Sequence, residues 1–292
     1  MILEKTVSRR MLLALGTGTA LTLATGTALA DSNELQQLER EHQARLGVFA
    51  KDAATGHAIT YRADERFPMC STFKTIVAAN VLRDKPQSFL DRLIRYAEAD
   101  VRKAGGGFAT SKPENIANGM TVKALCEAAI VYSDNTAANL LLAELGGPTS
   151  VTRFSSSIGD LTTRLDRLEP ELNSAEPDRI TDTTTPRAIA FTYGRLTLGR
   201  ALDQEDRDRL VSWLKANTTS AARFRKGLPP DWVLGDKTGT GSYGTANDVG
   251  ITWPPGRGPI VISVFTTQSD QAATPDNELV ARAAQIVAAK FS

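Results

Sequence analysis

The chain has 292 residues, 41% of them hydrophobic and 23% charged, with a net charge of +1. This is the composition of a soluble globular protein, one large domain or two small ones, and not of a disordered or fibrous chain. A near-neutral balance gives no support to nucleic acid or an anionic membrane as a partner, and two cysteines exclude a disulfide-built scaffold.

In chain order, Lys5, Arg9 and Arg10 precede the apolar run Met11-Leu12-Leu13-Ala14-Leu15, and a weakly apolar Gly/Thr/Ala/Leu stretch ends at Ala28-Leu29-Ala30. A basic start, an apolar middle and an A-x-A ending describe a cleavable export signal over residues 1–30. The run Ser8-Arg9-Arg10-Met11-Leu12-Leu13 resembles a twin-arginine signal, so the twin-arginine export machinery is an expected partner. A transmembrane anchor is the alternative, weakened by the Thr and Gly residues inside the stretch. Cleavage near Ala30–Asp31 would yield a periplasmic or secreted bacterial product. It removes three basic residues and one acid, leaving a mature net charge of −1.

A first helix is predicted over about 32–45. Leu46–Ala50 and Ala58–Tyr61 flank the turn Ala54-Thr55-Gly56 as a β-hairpin. A helix over 71–84 starts with Ser71 and Lys74, which share one face because they lie three apart. Ile76, Val77, Ala78, Ala79, Val81 and Leu82 make this helix a buried one. A lysine at its head is costly unless its charge has partners. Ser71 could be only a cap and Lys74 only a snorkelling side chain, or the two could be a nucleophile and its neighbour.

Further helices are predicted over Thr121–Tyr132, over Ala137–Leu145 up to Gly146-Gly147-Pro148, from Thr185-Pro186, and over Gln204–Ala216. Strands return at Trp232–Lys237, Asp248–Trp253 and Pro259–Thr267, and an apolar-sided helix of about fourteen residues ends the chain. Strands thus sit at both ends and helices in the middle. The expected fold is α/β of the α+β type. Residues of about 31–70 and 217–292 form a five-stranded antiparallel sheet covered by the terminal helices, and residues 71–216 form an all-α lobe. A site between the two lobes is the natural pocket.

The histidines, His42 and His57, read as surface residues, and no His/Cys/Asp cluster has zinc spacing. A serine nucleophile here would have a base other than histidine. Ser-x-x-Lys alone is a weak signal, since Ser212-Trp213-Leu214-Lys215 fits it too. What distinguishes Ser71 is its company: Ser133-Asp134-Asn135 follows an apolar helix, and Lys237-Thr238-Gly239 ends a predicted strand. Each triplet could be a local turn. Together and in this order they are the set of class A β-lactamases and penicillin-binding proteins.

From about residue 40 to 290 the chain resembles a class A β-lactamase. Glu169-Pro170-Glu171-Leu172-Asn173 is similar to the Ω-loop segment that holds the deacylating water in that family, and penicillin-binding proteins lack the glutamate. Arg167 and Asp182 match the ion pair that closes the loop. A cis Glu169–Pro170 bond is expected. The resemblance implies Ser71 as nucleophile, Lys74 or Glu169 as its base, and the backbone N–H groups of Ser71 and Thr240 as oxyanion hole. Ser133 would protonate the leaving nitrogen and Asn135 would hold the substrate amide. Glu169 with Asn173 would position the hydrolytic water. Lys237, Thr238, Gly239 and Thr240 would form the substrate-carboxylate edge, and Phe108 matches an aromatic gate. Ala246 stands where many members carry an arginine for the carboxylate, and Arg223, after Asn217-Thr218-Thr219, fits the alternative supply.

Cys70 and Cys126 match disulfide positions whose partners here are Gly241 and Ala78, so both thiols are expected free. The resemblance implies β-lactam substrates, no cofactor or metal, and a monomer. A D-alanyl-D-alanine peptidase and a non-catalytic penicillin-binding sensor are the competing readings.

Overall fold

The computed structural model describes residues 33–292. The expected export signal and its cleavage site therefore lie outside the described residues. Helix α1 (residues 33–41) leads into the hairpin β1 (Arg45–Asp52) and β2 (Ala58–Tyr61). The strands β3 (Val233–Thr240), β4 (Ala246–Trp253) and β5 (Ile260–Thr267) come from the other end of the sequence. All five form one antiparallel sheet in the order β2-β1-β5-β4-β3, as expected. β1 and β5 pair in full register, Arg45 opposite Thr267 through Asp52 opposite Ile260.

The sheet is buried on both faces, and side chains alternate between them. On the outer face Val48, Ile262 and Val264 pack against Leu35 and Leu38 of α1 and against Leu279, Ala283 and Val287 of the terminal helix, Asn277–Phe291. On the inner face Phe49, Val249, Ile251 and Phe265 join the larger core of the helical lobe. Fully burying each such side chain stabilises the fold by roughly 1.5–3 kcal/mol.

The helical lobe is built around α2 (Lys74–Asp84), in which every residue from Lys74 to Leu82 is buried. Around it stand α3 (Val122–Val131), α4 (Asn135–Glu144) and α5 (Thr149–Ser157). α6 (Pro186–Thr197) and α7 (Gln204–Lys215) follow. Side-chain oxygens of Thr121, Asp134, Thr185 and Asp203 cap α3, α4, α6 and α7.

Four details depart from expectation. Helix α1, expected to about residue 45, ends at 41, because Arg45 already pairs with Thr267 in the sheet. α6, counted with the helical lobe, lies against the sheet: Ser263 Oγ donates to Pro186 O at 2.7 Å, and a Cβ at Gly194 would meet Val261. α4 begins at Asn135 rather than Ala137, because the Asp134 carboxylate accepts from the Ala137 N–H and starts the helix earlier. α5 was not foreseen: its Ser- and Thr-rich sequence hides a buried face of Val151 and Phe154.

Candidate active site

The segment before α2 is a 3-10 turn, Cys70–Phe73, so Ser71 precedes the α-helix proper and Lys74 opens it. Cys70 enters the turn at φ 45°, a left-handed conformation that costs a non-glycine residue energy. The turn lies against the end of β3. A Cβ at Gly239 would stand 2.8 Å from the Met69 carbonyl, so a glycine is what lets the Lys-Thr-Gly strand pass so near Ser71. A Cβ at Gly241 would stand 2.8 Å from Cys70 Sγ. Gly241 is thus the position facing Cys70, and it offers no sulfur. Cys70 and Cys126 are both free and buried, and burial pushes both thiols far up.

Lys74 has no solvent exposure, yet its charge is well met. Its Nζ donates to Ser133 O at 2.8 Å and to Asn135 Oδ1 at 2.6 Å, and stands 3.0 Å from Glu169 Oε1. Three acceptors match the three N–H donors of an ammonium. The Ser71 hydroxyl donates to the same Glu169 oxygen at 3.3 Å. Asn173 Nδ2 donates to Glu169 Oε2 at 2.5 Å. Ser133, held at φ 56°, stands between the two lysines: Lys237 Nζ is 3.0 Å and Lys74 Nζ 3.4 Å from its Oγ.

Glu169 reaches this position from a loop, Arg167–Asp182. The Arg167 guanidinium donates to Asp182 Oδ2 at 2.5 Å and also to Ser174 and Glu176. Asp182 Oδ1 accepts the backbone N–H groups of Asp166 and Arg167. The Glu169–Pro170 peptide is cis. Asn139 on α4 escaped sequence reasoning. Its amide accepts from the Glu169 N–H at 2.9 Å and donates to the Glu169 carbonyl at 2.8 Å, gripping the backbone from both sides. The available signal was its place four residues after Asn135 on one helix face.

At the other end of the cleft Lys237 is fully buried and bonded only to Ser133 Oγ and Thr238 O. Burial, and then the charge of Lys74, holds its ammonium well below the ordinary lysine range. Arg223 is also buried, contrary to the picture of a guanidinium lying open to a ligand. It donates to Asn277 Oδ1, Gly239 O, Asn247 O and Thr240 Oγ1, each at 2.7 Å. Four of its five N–H donors are spent on protein, and Thr240 stands between it and the cleft. Ala246 pairs with Thr240 across the sheet and is buried. Thr238 Oγ1 meets Thr219 Oγ1 at 2.5 Å.

Phe108 sits on the rim, 62% exposed, with its ring centroid 4.5 Å from that of Tyr132. Asp134 ties this rim down by accepting the N–H groups of Ala109 and Thr110. The other Ser-x-x-Lys lies apart: Ser212 Oγ donates to Arg209 O, and Lys215 lies over the Trp253 ring. His57 is exposed, but His42 is half-buried, its Nδ1 2.6 Å from Asp276 Oδ2. No group of His, Cys, Asp and Glu able to hold a metal exists among the described residues.

A serine, two lysines, a second serine and a glutamate on a closed loop can acylate and then admit water. The comparisons point the same way. The model of the β-lactamase enzyme family matches residues 31–291. A β-lactamase of Streptomyces lavendulae is 57% identical over 293 residues, covering 96% of both proteins. The solved β-lactamase of Streptomyces albus G superimposes with a TM-score of 0.88 at 60% identity, over 89% of this chain and 99% of that one. A variant of the reconstructed class A β-lactamase ancestor of Gram-negative bacteria gives 0.85 at 50% identity, over 90% and 98%.

Proposed function

This chain belongs to the β-lactamase enzyme family, in its class A branch, and from that premise we infer the role of each residue in the cleft. The protein is a serine β-lactamase: it opens the β-lactam ring through an acyl-enzyme and so gives resistance to these antibiotics. Ser71 attacks the ring carbonyl, and its proton passes to Glu169, directly or through one water. Support for Glu169 as this base is its oxygen 3.3 Å from the Ser71 hydroxyl, while Lys74 spends its donors elsewhere. The backbone N–H groups of Ser71 and Thr240 receive the oxyanion. Ser133, between Lys74 and Lys237, hands a proton to the departing nitrogen.

Asn135 holds the substrate amide. Lys237, Thr238 and Thr240, with Arg223 behind them, receive the substrate carboxylate. Phe108 lines the entrance. Glu169 and Asn173 then orient the water that releases the product. Residues 1–30 act as a twin-arginine export signal, so the enzyme works as a monomer in the periplasm or outside the cell. The reaction needs no cofactor or metal.

The observation that carries this reading is Glu169 between Ser71, Lys74 and Asn173. A peptidase or a sensor has no use for a carboxylate that activates water against its own acyl-enzyme. Reaction with a chromogenic cephalosporin separates the three: the expected outcome is many fast turnovers per enzyme. Slow trapping or a single burst would point to the peptidase or the sensor.

A further inference from the structure

Among the described residues, nine buried side-chain N and O atoms have no hydrogen-bond partner, and five belong to Asn217, Ser220, Asp236 and Asp248. Native proteins leave few such atoms, and a cluster of them asks for a reason. Asp236 lies on β3 just before Lys237, and Asp248 lies on β4 just after Asn247. Both have 0% exposure. The register sets Asp236 opposite Gly250 and Thr238 opposite Asp248, so the two acids are diagonal neighbours on one face, away from Ser71. Asp236 is turned toward Asp248, Ser220 and Asn217, yet neither of its oxygens is in a well-formed bond.

Two adjacent buried carboxylates cannot both carry charge at low cost. With one proton between them the contact becomes an O–H···O⁻ bond and the pair carries a single charge. Arg225 Nη2 stands 3.7 Å from Asp236 Oδ1, too far for a tight pair. Arg223 faces from the same segment, Lys237 from β3 and Tyr193 from α6 across the sheet. The terminal helix brings only the neutral Asn277 to Arg223. Burial first, and then the neighbouring acid, holds Asp248 well above the carboxylate range, and burial raises Asp236 too.

The pair sits beneath the segment that carries Arg223. Asp248 Oδ2 accepts the N–H of Phe224 at 3.2 Å, and the carbonyl of Asn247 accepts from Arg223 at 2.7 Å. We propose that Asp236 and Asp248 share one proton and, singly ionised, are positioning residues for the substrate carboxylate, clamping the 217–225 segment onto β3 and β4 with Arg223 set against Thr240. The proposal rests on reading the Lys237–Thr240 edge as the carboxylate end. The sign follows from the raised groups: the clamp is tight while the proton is held and loosens as rising pH removes it. KM for an anionic penicillin then rises with pH, while kcat, set by groups on the opposite face of the strand, moves less.

The test is the pH profile of KM and kcat for benzylpenicillin in the parent and in Asp248→Asn, together with the infrared spectrum of the parent. An asparagine still donates to Asp236 and cannot titrate, so the expected result is a KM that no longer climbs, where the parent's climbs by about ten-fold. Asp248→Ala, with no donor to offer, raises KM across the whole range. The parent is expected to show the C=O band of a buried protonated carboxyl group at neutral pH, absent from Asp248→Asn. A flat parent profile, or a climb that persists in Asp248→Asn, overturns the proposal. Should Asp248→Asn fail to fold, the parent's infrared band decides alone, and its absence overturns it. Arg223→Ala keeps the two readings apart: an unchanged KM there sinks the carboxylate end itself, whereas a raised KM leaves that reading standing whatever the acid pair does.

Discussion

The two ends of the cleft treat buried charge in opposite ways. At the nucleophile end Lys74 and Glu169 are both wholly buried and 3.0 Å apart, and Asn135, Ser133 and Asn173 take up what remains of their bonding capacity. At the other end Lys237 and Arg223 are just as deeply placed, but every bond they make goes to a carbonyl, an amide or a hydroxyl. The first arrangement is complete before any ligand arrives, which is what a machine for moving protons requires. The second is short of an anion on its cleft side. On the proposed reading a substrate carboxylate would supply that charge, and in its absence the acid pair behind the strand offsets part of the deficit.

The contrast breaks most sharply at Glu169. Glu169→Ala is expected to slow both half-reactions, acylation the less, because Lys74, freed of its partner, can still take the Ser71 proton, and deacylation by about 10²–10⁴-fold, the usual worth of a placed general base. Mass spectrometry of the mutant with a penicillin should find the acyl group on Ser71, and full turnover would refute the assignment. The anchor end should respond through affinity instead. Arg223→Ala is expected to lower kcat/KM by about ten- to a hundred-fold, mostly through KM, since charge-assisted bonds of about 1.5–3 kcal/mol are lost. Lys226→Ala, which removes only the exposed pair with Glu278, is the control.

A smaller effect is expected from Asn139→Ala, which frees the Glu169 backbone on both sides. Deacylation should fall by about thirty-fold, lowering kcat while kcat/KM holds, consistent with two hydrogen bonds of about 1 kcal/mol each. If KM alone moves, Asn139 serves the anchor end and the contrast blurs.

The loop that carries Glu169 has its own pH limit. The Ser174 hydroxyl first, and the Arg167 guanidinium after it, hold Glu176 down to about 2 from an ordinary 4.5. Its contribution is therefore present above about 4.5 and is lost as pH falls toward about 2. Thermal unfolding followed across that window should show Tm falling less steeply in Glu176→Gln than in the parent.

The thiols should matter least. Native protein is expected to resist a thiol reagent, and protein denatured without reductant to take up two equivalents. Zero equivalents would reveal a bridge between Cys70 and Cys126.

Most of the architecture was legible because local chemistry announces it. The hairpin, the apolar α2, the threonine before Pro186 and the strand alternation after Trp232 each follow from periodicity or capping. Boundaries slipped where a side chain from elsewhere intervenes: Asp134 opens α4 early, and the approach of β3 accompanies a 3-10 turn before Lys74. Cleft residues with a motif around them were visible for the same local reason, since Ser71 with Lys74, or Lys237 with Thr238 and Gly239, are neighbours in sequence.

What the sequence by itself determined is therefore the family, the order of the elements and which motif residues to look for in the cleft, because these depend on residues near one another in the chain. Tertiary structure alone decided how the charges are balanced. Arg223 reads as a guanidinium offered to the carboxylate until strands β3 and β4 surround it with carbonyls, and Asn139 as one more polar residue until the loop folds back over α4. Asp236 and Asp248 look like any two acids in a strand. The antiparallel register makes them neighbours, burial removes the water between them, and at low dielectric that closeness, which no local pattern encodes, sets how many protons they hold.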